Sequence, residues 1–343
     1  MKKQCCYSLL SLLLIACSAK QELSVLQINA WHGASTVPGG FKGLVDIVVQ
    51  TNPDIVLLCE IQAPDGSNVV DRLVDSLQTL GKTYYGQKGG TGLISKYKID
   101  EQTLCCASDV QGAMVKSRIS VGGHTLLAYS AHLDYTHYEC YLPRGYSGTS
   151  WKKIESPVRD ADSVLRANRL SQRDETIAAF IEDAKNEIGK GNLVLMGGDL
   201  NEPSHLDWQA DTKNLRDHNG VVINWDCSLM LADMGMVDAY REKYPDAVEY
   251  PGFTFPAGNR DAELNKLAWA PEADERDRID FIYYYPNPHW TLKSASIVGP
   301  EETVLRGKIQ AKDSEDAFVV PLGVWATDHK GNLAVFTIRD REK

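Results

Sequence analysis

Six short polar clusters lie at the ends of apolar runs or within them, spread along the chain, and they constrain its fold most. They are Asn29, Glu60, His132, Asp199 with Asn201, Asp280, and Asp328 with His329. Short apolar runs of this kind predict buried strands. Because an unpaired charge is costly to bury, acids and histidines at strand ends are not expected to serve as core packing residues. If a sheet draws these ends together, carboxylates, amides and imidazoles meet in one polar site.

The composition is typical of a globular protein and places limits on its partners. A length of 343 residues allows one large domain or two smaller ones. No apolar run after residue 17 approaches the roughly 18 residues that a membrane span requires. Without residues 1–16 the chain loses Lys2 and Lys3, so its formal net charge changes from −10 to −12. Such an acidic chain is poorly suited to binding long nucleic acids through their phosphates.

The first residues predict export and attachment to a membrane. A basic start, a short apolar stretch and a small residue before Cys17 predict a signal peptide over residues 1–16. The segment from Leu14 to Cys17 resembles the bacterial lipobox, in which the cysteine is lipidated and becomes the new N-terminus. We therefore expect a lipidated Cys17, a tether over residues 17–22 and an extracytoplasmic location, lipid-anchored in the bacterial cell envelope. The alternative is a buried first helix, but the stretch lacks an amphipathic period.

Five cysteines remain after Cys17: Cys59, Cys105, Cys106, Cys140 and Cys227. Their spacing is not that of a metal site. Outside the cytoplasm they allow one or two disulfides, and the sequence does not assign the pairs. Cys59 lies inside an apolar run and is expected to be a small buried hydrophobic residue.

The order of predicted elements favours one α/β domain over residues 23–343, and we expect it to be a monomer. Helices are predicted over about 41–50, 68–80, 168–188 and 228–242, and strands near 24–29, 54–60, 92–94, 115–121, 125–131, 193–197, 253–255, 278–285, 291–298 and 332–338. The chain shows no internal repeat and no low-complexity linker. Hairpins mixed with helices predict two packed sheets with helices outside, a four-layer α/β/β/α sandwich.

Residues 135–167 form a long stretch without periodicity that is rich in aromatic side chains. An insertion of this length in a compact domain is usually functional or disordered, and its aromatic content argues against disorder. Because it follows His132, we expect it to form a wall of the substrate pocket, with Arg144, Tyr146 and Trp151 as substrate-binding residues. The alternative is a packed loop that covers a sheet edge.

Two acidic stretches outside the polar clusters are predicted to be solvated turns. They are Asp274-Glu275 and the segment from Asp313 to Asp316.

The ordered motifs make the sequence recognisable. They are Gly198-Asp199-Leu200-Asn201, Arg278-Ile279-Asp280-Phe281, Thr327-Asp328-His329, the segment from Pro53 to Ile61 and the segment from Gly92 to Lys96. Together they resemble the endonuclease/exonuclease/phosphatase superfamily, which includes deoxyribonuclease I-like enzymes, bacterial sphingomyelinases and inositol phosphate phosphatases. The resemblance extends from about Leu23 to Ile338, and the lipobox suggests a bacterial lipoprotein member.

The resemblance implies a divalent metal site. Glu60 would be the principal ligand of Mg²⁺ or Mn²⁺, with Asn29 beside it contacting metal or phosphate. Asp328 would be a second metal ligand. Carboxylate and amide oxygens suit such a role, because they are the ligands that Mg²⁺ prefers.

The resemblance also implies the catalytic groups. Asp199 would orient or deprotonate the attacking water, and Asn201 would hold a phosphoryl oxygen. His329 would act as base or phosphate contact, and Asp280 would orient it, since a carboxylate on one imidazole nitrogen fixes the tautomer. His132 would lie on the phosphate and stabilise or protonate the leaving side.

These roles predict an Mg²⁺-dependent hydrolase of phosphoester bonds that acts outside the cytoplasm on a small or lipid-linked substrate. Apurinic-site repair nucleases of the superfamily carry a tyrosine-type residue at the place of His132 and an acid at the place of Trp31. Both differences from the repair enzymes weaken the hypothesis that this chain is a repair nuclease. The alternatives are a secreted nuclease acting on DNA or RNA, and a binding lipoprotein with a degenerate site. The second alternative predicts missing catalytic residues, whereas every motif position holds a competent one.

Overall fold

The computed structural model describes residues 20–106 and 113–340. The predicted signal peptide, Cys17 and the first tether residues lie outside these ranges. Within them, no helix combines the length and the apolar character that crossing a bilayer requires.

Fifteen strands and seven α-helices form within the described residues. The strands are β1 (Lys20–Asn29), β2 (Ile55–Cys59), β3 (Tyr85–Lys88), β4 (Gly92–Ser95), β5 (Ile99–Cys106), β6 (Ala113–Val121), β7 (His124–His132), β8 (Leu193–Asp199), β9 (Val237–Asp238), β10 (Asp280–Tyr284), β11 (Trp290–Val298), β12 (Thr303–Leu305), β13 (Lys308–Gln310), β14 (Phe318–Val319) and β15 (Gly331–Arg339). The helices are α1 (Trp31–Ala34), α2 (Gly40–Thr51), α3 (Val69–Thr79), α4 (Ala161–Asn168), α5 (Arg173–Gly189), α6 (Asp226–Asp233) and α7 (Ala239–Lys243), with 3₁₀ turns at Glu139–Arg144 and Leu264–Lys266.

Two mixed sheets form the centre of the described structure. One has the strand order β14-β11-β15-β1-β2-β4-β3, and the other has the order β5-β6-β7-β8-β10-β9. Their facing surfaces share an apolar core to which Leu57 of β2 and Leu195 of β8 contribute. Separate clusters pack α2 and α3 on the outer face of the first sheet, and α5 and α6 on that of the second. The predicted four-layer α/β sandwich is confirmed.

Strand pairing brings the polar strand ends to one edge of the sandwich. Parallel strands β1 and β2 end side by side, with Asn29 opposite Cys59. Parallel strands β7 and β8 also end together, with His132 opposite Asp199. The antiparallel strand β10 begins at this edge, because Asp280 pairs with Asp199. Ends that are distant in sequence therefore meet across both sheets.

Several predicted boundaries were wrong. The helix expected over 168–188 begins only at Arg173 and ends at Gly189, and a separate helix that was not predicted, α4, ends at Asn168. The helix expected over 228–242 is interrupted at Gly235, whose φ of +93° is incompatible with a right-handed helix. Residues 253–255 make an isolated bridge at Phe255 rather than a strand. Strand β1 begins within the predicted tether, since Lys20 already pairs with Arg339.

Three of the described cysteines belong to the packed interior. Cys59, Cys140 and Cys227 are buried free thiols. Burial raises the pKa of each of them well above its ordinary value. The prediction that Cys59 is a buried hydrophobic residue is confirmed.

Candidate active site

Asn29 lies between two carboxylates at the centre of the polar edge. Its amide nitrogen donates to Glu60 Oε1 at 3.0 Å and to Asp199 Oδ2 at 3.1 Å. Its amide oxygen accepts the backbone N–H of Trp31 at 2.9 Å. Asn29 keeps a second lone pair on this amide oxygen, so the prediction that it contacts metal or phosphate stays a prediction. The side chain holds Glu60 and Asp199 at a fixed separation.

Tight backbone conformations present several of these side chains. Glu60 has φ +51° and Asn201 has φ +48°, in the left-handed region that residues other than glycine rarely adopt. His32 in helix α1 has φ +56°, and its backbone N–H donates to Glu60 Oε2 at 3.1 Å. Such conformations persist where the surroundings determine them, and they concentrate at functional sites.

Asp280 and His329 form a buried dyad. His329 Nδ1 lies 2.8 Å from Asp280 Oδ2. Gln27 donates to the other oxygen, Asp280 Oδ1, at 2.9 Å, and Asn332 donates to Gln27 Oε1 and to the Asp280 carbonyl. With both carboxylate oxygens engaged, Asp280 cannot rotate, and it leaves His329 Nε2 facing Asp199 Oδ2 at 3.8 Å.

The charges of these groups shift their pKa values. Burial raises the pKa of Asp199 to about 6, and the neighbouring charge of Asp280 adds to the effect. Burial alone would lower the pKa of His329, but the charges of Asp280 and Asp199 raise it well above its ordinary value. An aspartate and an imidazolium therefore lie in contact with the same cavity, and each is able to exchange a proton.

His132 is at the opposite side of the same centre. Its Nε2 is 4.0 Å from Glu60 Oε1 and 3.9 Å from Asp199 Oδ2. Burial would raise the pKa of Glu60, but the charge of His132 and the hydrogen bond from Asn29 lower it below its ordinary value. The predicted meeting of His132, Glu60 and Asp199 is observed.

Asn201 follows Asp199 in the tight loop after β8. Its backbone N–H donates to Asp199 Oδ1 at 2.8 Å, and its side-chain amide donates to the Leu133 carbonyl at 3.0 Å. The side chain thereby keeps one fixed orientation at the cavity wall, as a phosphoryl contact requires.

The acidic groups fit a divalent cation. Burial raises the pKa of Asp328 to about 7; the His329 charge opposes this shift, and the Glu60 charge adds to it. Glu60 and Asp328 thus repel one another, and a bound divalent cation would relieve that repulsion. Ligand atoms of Asp199, Asp280 and His329 also lie within 4.8 Å of one another. Asp280 is already committed to His329 and Gln27, so Glu60 and Asp328 suit a hard cation better.

A cavity of about 520 Å³ lies at this centre. Its polar side is lined by Glu60, His132, Asp199, Asn201, Asp328 and His329. Its other side is largely apolar and aromatic, and it includes Trp31, Tyr135, Tyr138, Trp151, Phe255 and Trp269. The expectation that the segment after His132 forms a cavity wall is met by Tyr135, Tyr138 and Trp151.

Two of the three residues predicted to bind substrate lie elsewhere. The side chain of Arg144 has no exposed surface, and its Nη1 lies 2.5 Å from Asp277 Oδ2. Tyr146 is also buried, and its hydroxyl accepts the backbone N–H of Glu272 at 3.3 Å. Both stabilise the insertion from within, because its polar groups find partners in residues 272–277. Trp151 does line the cavity.

Sequence reasoning missed three residues of the site. Gln27 and Asn332 are buried and fix Asp280. A glutamine within the apolar run of β1 was a signal for Gln27, since a buried amide needs a partner. Trp269 lies in a stretch without periodicity, so no local pattern marks it.

The family model of the Endonuclease/Exonuclease/phosphatase family matches residues 26–329. An uncharacterised protein of Caenorhabditis elegans, F14F9.5, is 26% identical over 268 residues, which are 78% of this chain and 80% of that protein. The structure of D. rerio TDP2 complexed with a single-strand DNA product aligns with a TM-score of 0.53 and 17% identity, over 92% of this chain and 98% of that one. The human Nocturnin catalytic domain with bound sulfate gives a TM-score of 0.51 and 13% identity, over 94% and 97%.

The chain belongs to the endonuclease/exonuclease/phosphatase family. Members of this family are metal-dependent phosphoesterases, and the chain is an enzyme of that class. The structural likenesses, all at low identity, support the fold.

Proposed function

We propose that this enzyme is an Mg²⁺-dependent hydrolase of a phosphoester bond in a small substrate outside the cytoplasm. The observation that carries the proposal is the convergence, at one cavity, of a carboxylate pair fixed by Asn29 and a buried Asp280–His329 dyad. Phosphoester hydrolysis requires an oriented water, a proton acceptor, and charge stabilisation on the phosphoryl oxygens. The groups at this cavity supply each of them.

Each side chain has a role that its contacts support. Glu60 and Asp328 would hold the cation, which when bound would neutralise charge on the phosphoryl oxygens. Asp199 orients the attacking water and accepts its proton. His329 Nε2, held in place by Asp280, donates to a phosphoryl oxygen. His132 lies across the centre and stabilises the leaving oxygen, while Asn201 contacts the phosphoryl group.

The cavity favours a small substrate. Its volume of about 520 Å³ is within the roughly 300–1,000 Å³ range of sites for single small molecules. Among the described residues, no lysine or arginine lines it. Proteins bind long nucleic acids through many lysine and arginine contacts to phosphates. A substrate with one phosphoester group at the metal centre suits this lining better than a polyanion does.

The direction of β1 supports a soluble substrate over a lipid-linked one. The strand runs from Lys20 to Asn29, and nine steps of about 3.3 Å span roughly 30 Å. If Cys17 carries lipid, the membrane adjoins the Lys20 end, and the cavity opens at the opposite end. Cys17→Ser should then release the protein from the membrane fraction or stall its precursor. Unchanged processing and membrane association would rule out this anchor.

The test is a substrate screen with the purified protein in Mg²⁺ and then in EDTA. The substrates are bis-p-nitrophenyl phosphate, p-nitrophenyl phosphate, sphingomyelin vesicles, phosphatidylinositol phosphates, DNA and RNA. We expect hydrolysis of a p-nitrophenyl ester that EDTA abolishes and Mg²⁺ restores. Faster cleavage of DNA or RNA would favour the nuclease alternative. Absence of metal-dependent hydrolysis of every substrate would favour the binding-protein alternative.

A further inference from the structure

The aromatic side of the cavity leaves large ring surfaces open to water. Trp269 is 51% exposed and Tyr135 is 49% exposed, although both line the cavity. Trp151 adjoins them, and its ring centroid lies 5.4 Å from that of Trp269 with 37° between the planes. Exposed apolar surface is unfavourable in water, and patches of it at a cavity mark binding sites. We call the side chains of Trp151, Trp269 and Tyr135 the aromatic wall.

The backbone that carries Trp151 is held in a rare conformation. Trp151 has φ +59°, in the left-handed region, and its N–H donates to the Ser147 carbonyl at 2.9 Å. Tyr141 packs edge-on beneath its ring, with centroids 5.4 Å apart and planes at 85°. Such backbone conformations persist where the surroundings determine them, and they concentrate at sites that bind ligands.

Glu275 fixes Trp269 relative to Trp151. This carboxylate is only 2% exposed, which corrects the prediction of a solvated turn. Its Oε2 accepts the Tyr141 hydroxyl at 2.6 Å and the backbone N–H groups of Trp269 and Ala270 at 3.0 Å each. The same oxygen thus links the support under Trp151 to the segment that presents Trp269. Glu275 is a positioning residue for the aromatic wall.

We propose that the aromatic wall binds a planar heteroaromatic ring of the substrate, as in a nucleoside phosphodiester, while the phosphoester lies at the metal centre. The inference rests on the proposed function and names the substrate class for that site. Tryptophan and tyrosine faces stack on flat rings with little dependence on their hydrogen-bonding groups. The wall and the catalytic groups line one cavity, so a ring a few bonds from the phosphate reaches both.

The test compares three substrates that share the p-nitrophenol leaving group. They are thymidine 5′-(p-nitrophenyl phosphate), hexyl p-nitrophenyl phosphate and methyl p-nitrophenyl phosphate, hydrolysed by the wild type, Trp269→Ala and Trp151→Ala. Stacking on one ring is expected to change the thymidine-to-methyl ratio of kcat/KM by about 10-fold to 100-fold. Each substitution should reduce the ratio by that amount, mainly through KM. Tyr85→Ala is the control, because Tyr85 is 44% exposed on β3 and lies outside the cavity lining.

A second measurement separates failure of this inference from failure of the proposed function. Quenching of tryptophan fluorescence by thymidine 5′-monophosphate reports ring binding without turnover. Quenching that Trp269→Ala weakens and Tyr85→Ala preserves would support the wall even if no ester were hydrolysed. An unchanged thymidine-to-methyl ratio in both tryptophan variants would overturn the inference. Equal preference of the wild type for the hexyl ester would also overturn it, since the wall would then accept any apolar group.

Discussion

At the scale of single residues, the site depends on side chains that fix one another. The amide nitrogen of Asn29 donates hydrogen bonds to both Glu60 and Asp199. Gln27 donates to Asp280, and its amide oxygen accepts a hydrogen bond from Asn332 near the start of β15. Each of these amides has both of its ends engaged, so the carboxylates are held before any substrate arrives. Such preorganised groups cost no rearrangement during the reaction, which is the main source of electrostatic catalysis.

The Asp280–His329 dyad predicts coupled effects of substitution. His329→Ala and Asp199→Ala should each reduce kcat by roughly 10²-fold to 10⁴-fold, the range for positioned proton transfer. Asp280→Asn acts through His329, so adding it to His329→Ala should cause little further loss. Steady-state kinetics of the single and double variants measures the coupling. Losses that simply add would show that Asp280 does not work through this histidine.

A buried histidine away from the site predicts a pH dependence of stability. His218 stacks on Trp208 with ring centroids 3.6 Å apart, and burial lowers its pKa to about 2, with help from the charges of Arg144 and Arg216. The unfolded chain binds a proton at His218 below its ordinary pKa of about 6.5, and the folded chain does not. The free energy of unfolding should therefore decrease as pH falls through the window from 6.5 to 2.

His218→Phe keeps the stacked ring and removes the titration. In urea unfolding, the free energy of unfolding of the wild type should decrease by about 2 kcal/mol more than that of the variant between pH 7.5 and pH 5. The difference accumulates at about 1.4 kcal/mol per pH unit below 6.5. Identical losses in the two proteins would contradict the assignment of a neutral buried imidazole.

At the scale of elements, the close contact of β7 with β8 aligns His132 with Asp199. A Cβ on Gly198 would lie 1.8 Å from the Ala131 carbonyl oxygen, so a side chain there would force the two strands apart. Gly198→Ala should destabilise the protein by about 1–3 kcal/mol, as overpacking does, and reduce kcat by displacing both strand ends. Thermal unfolding and kinetics measure the two effects.

Gly189, at the end of α5, is the matched control, because a Cβ there would meet nothing within 4 Å. Gly189→Ala should leave kcat unchanged and the melting temperature equal or slightly higher, since alanine favours helix more than glycine does. A Gly198→Ala variant that behaved like Gly189→Ala would contradict the role of the close strand contact.

Local patterns were sufficient to predict the elements that carry the catalytic groups. Apolar runs ending in Asn29, His132 and Asp199 are buried strands, because their side chains face either the core between the sheets or the helices outside. Helix α4 was missed because it begins inside residues 135–167, which were interpreted as one stretch without periodicity. The aromatic wall was missed in part because Trp269 meets Trp151 through contacts between distant segments.

Charge and composition predicted the surroundings of the site less well than they predicted its centre. Arg144 was expected to face substrate, but it pairs with Asp277, which lies 133 residues away in sequence. Glu275 was expected to be solvated, yet it is buried under the aromatic wall. Sequence alone does not show which partner a charged side chain finds across a fold, and burial depends on that partner.

At the scale of the whole molecule, the two sheets together form the site, because no single segment of the chain provides all of its groups. The first sheet provides Asn29 at the end of β1, and Glu60 follows directly after β2; the second provides His132, Asp199 and Asp280. Relative displacement of the sheets would therefore separate Glu60 from Asp199. We infer that this joint site is a metal-dependent phosphoesterase centre in which Glu60 would hold the cation.

The most direct test is the Mg²⁺ dependence of bis-p-nitrophenyl phosphate hydrolysis by the wild type, Glu60→Ala and Asp65→Ala. Asp65 is an exposed acid five residues further along the chain, so its variant removes the same charge away from the cavity. We expect turnover that rises with Mg²⁺ in the wild type and in Asp65→Ala, and none in a folded Glu60→Ala protein. Mg²⁺-dependent turnover at the wild-type rate in folded Glu60→Ala would contradict the role of Glu60 in holding the cation.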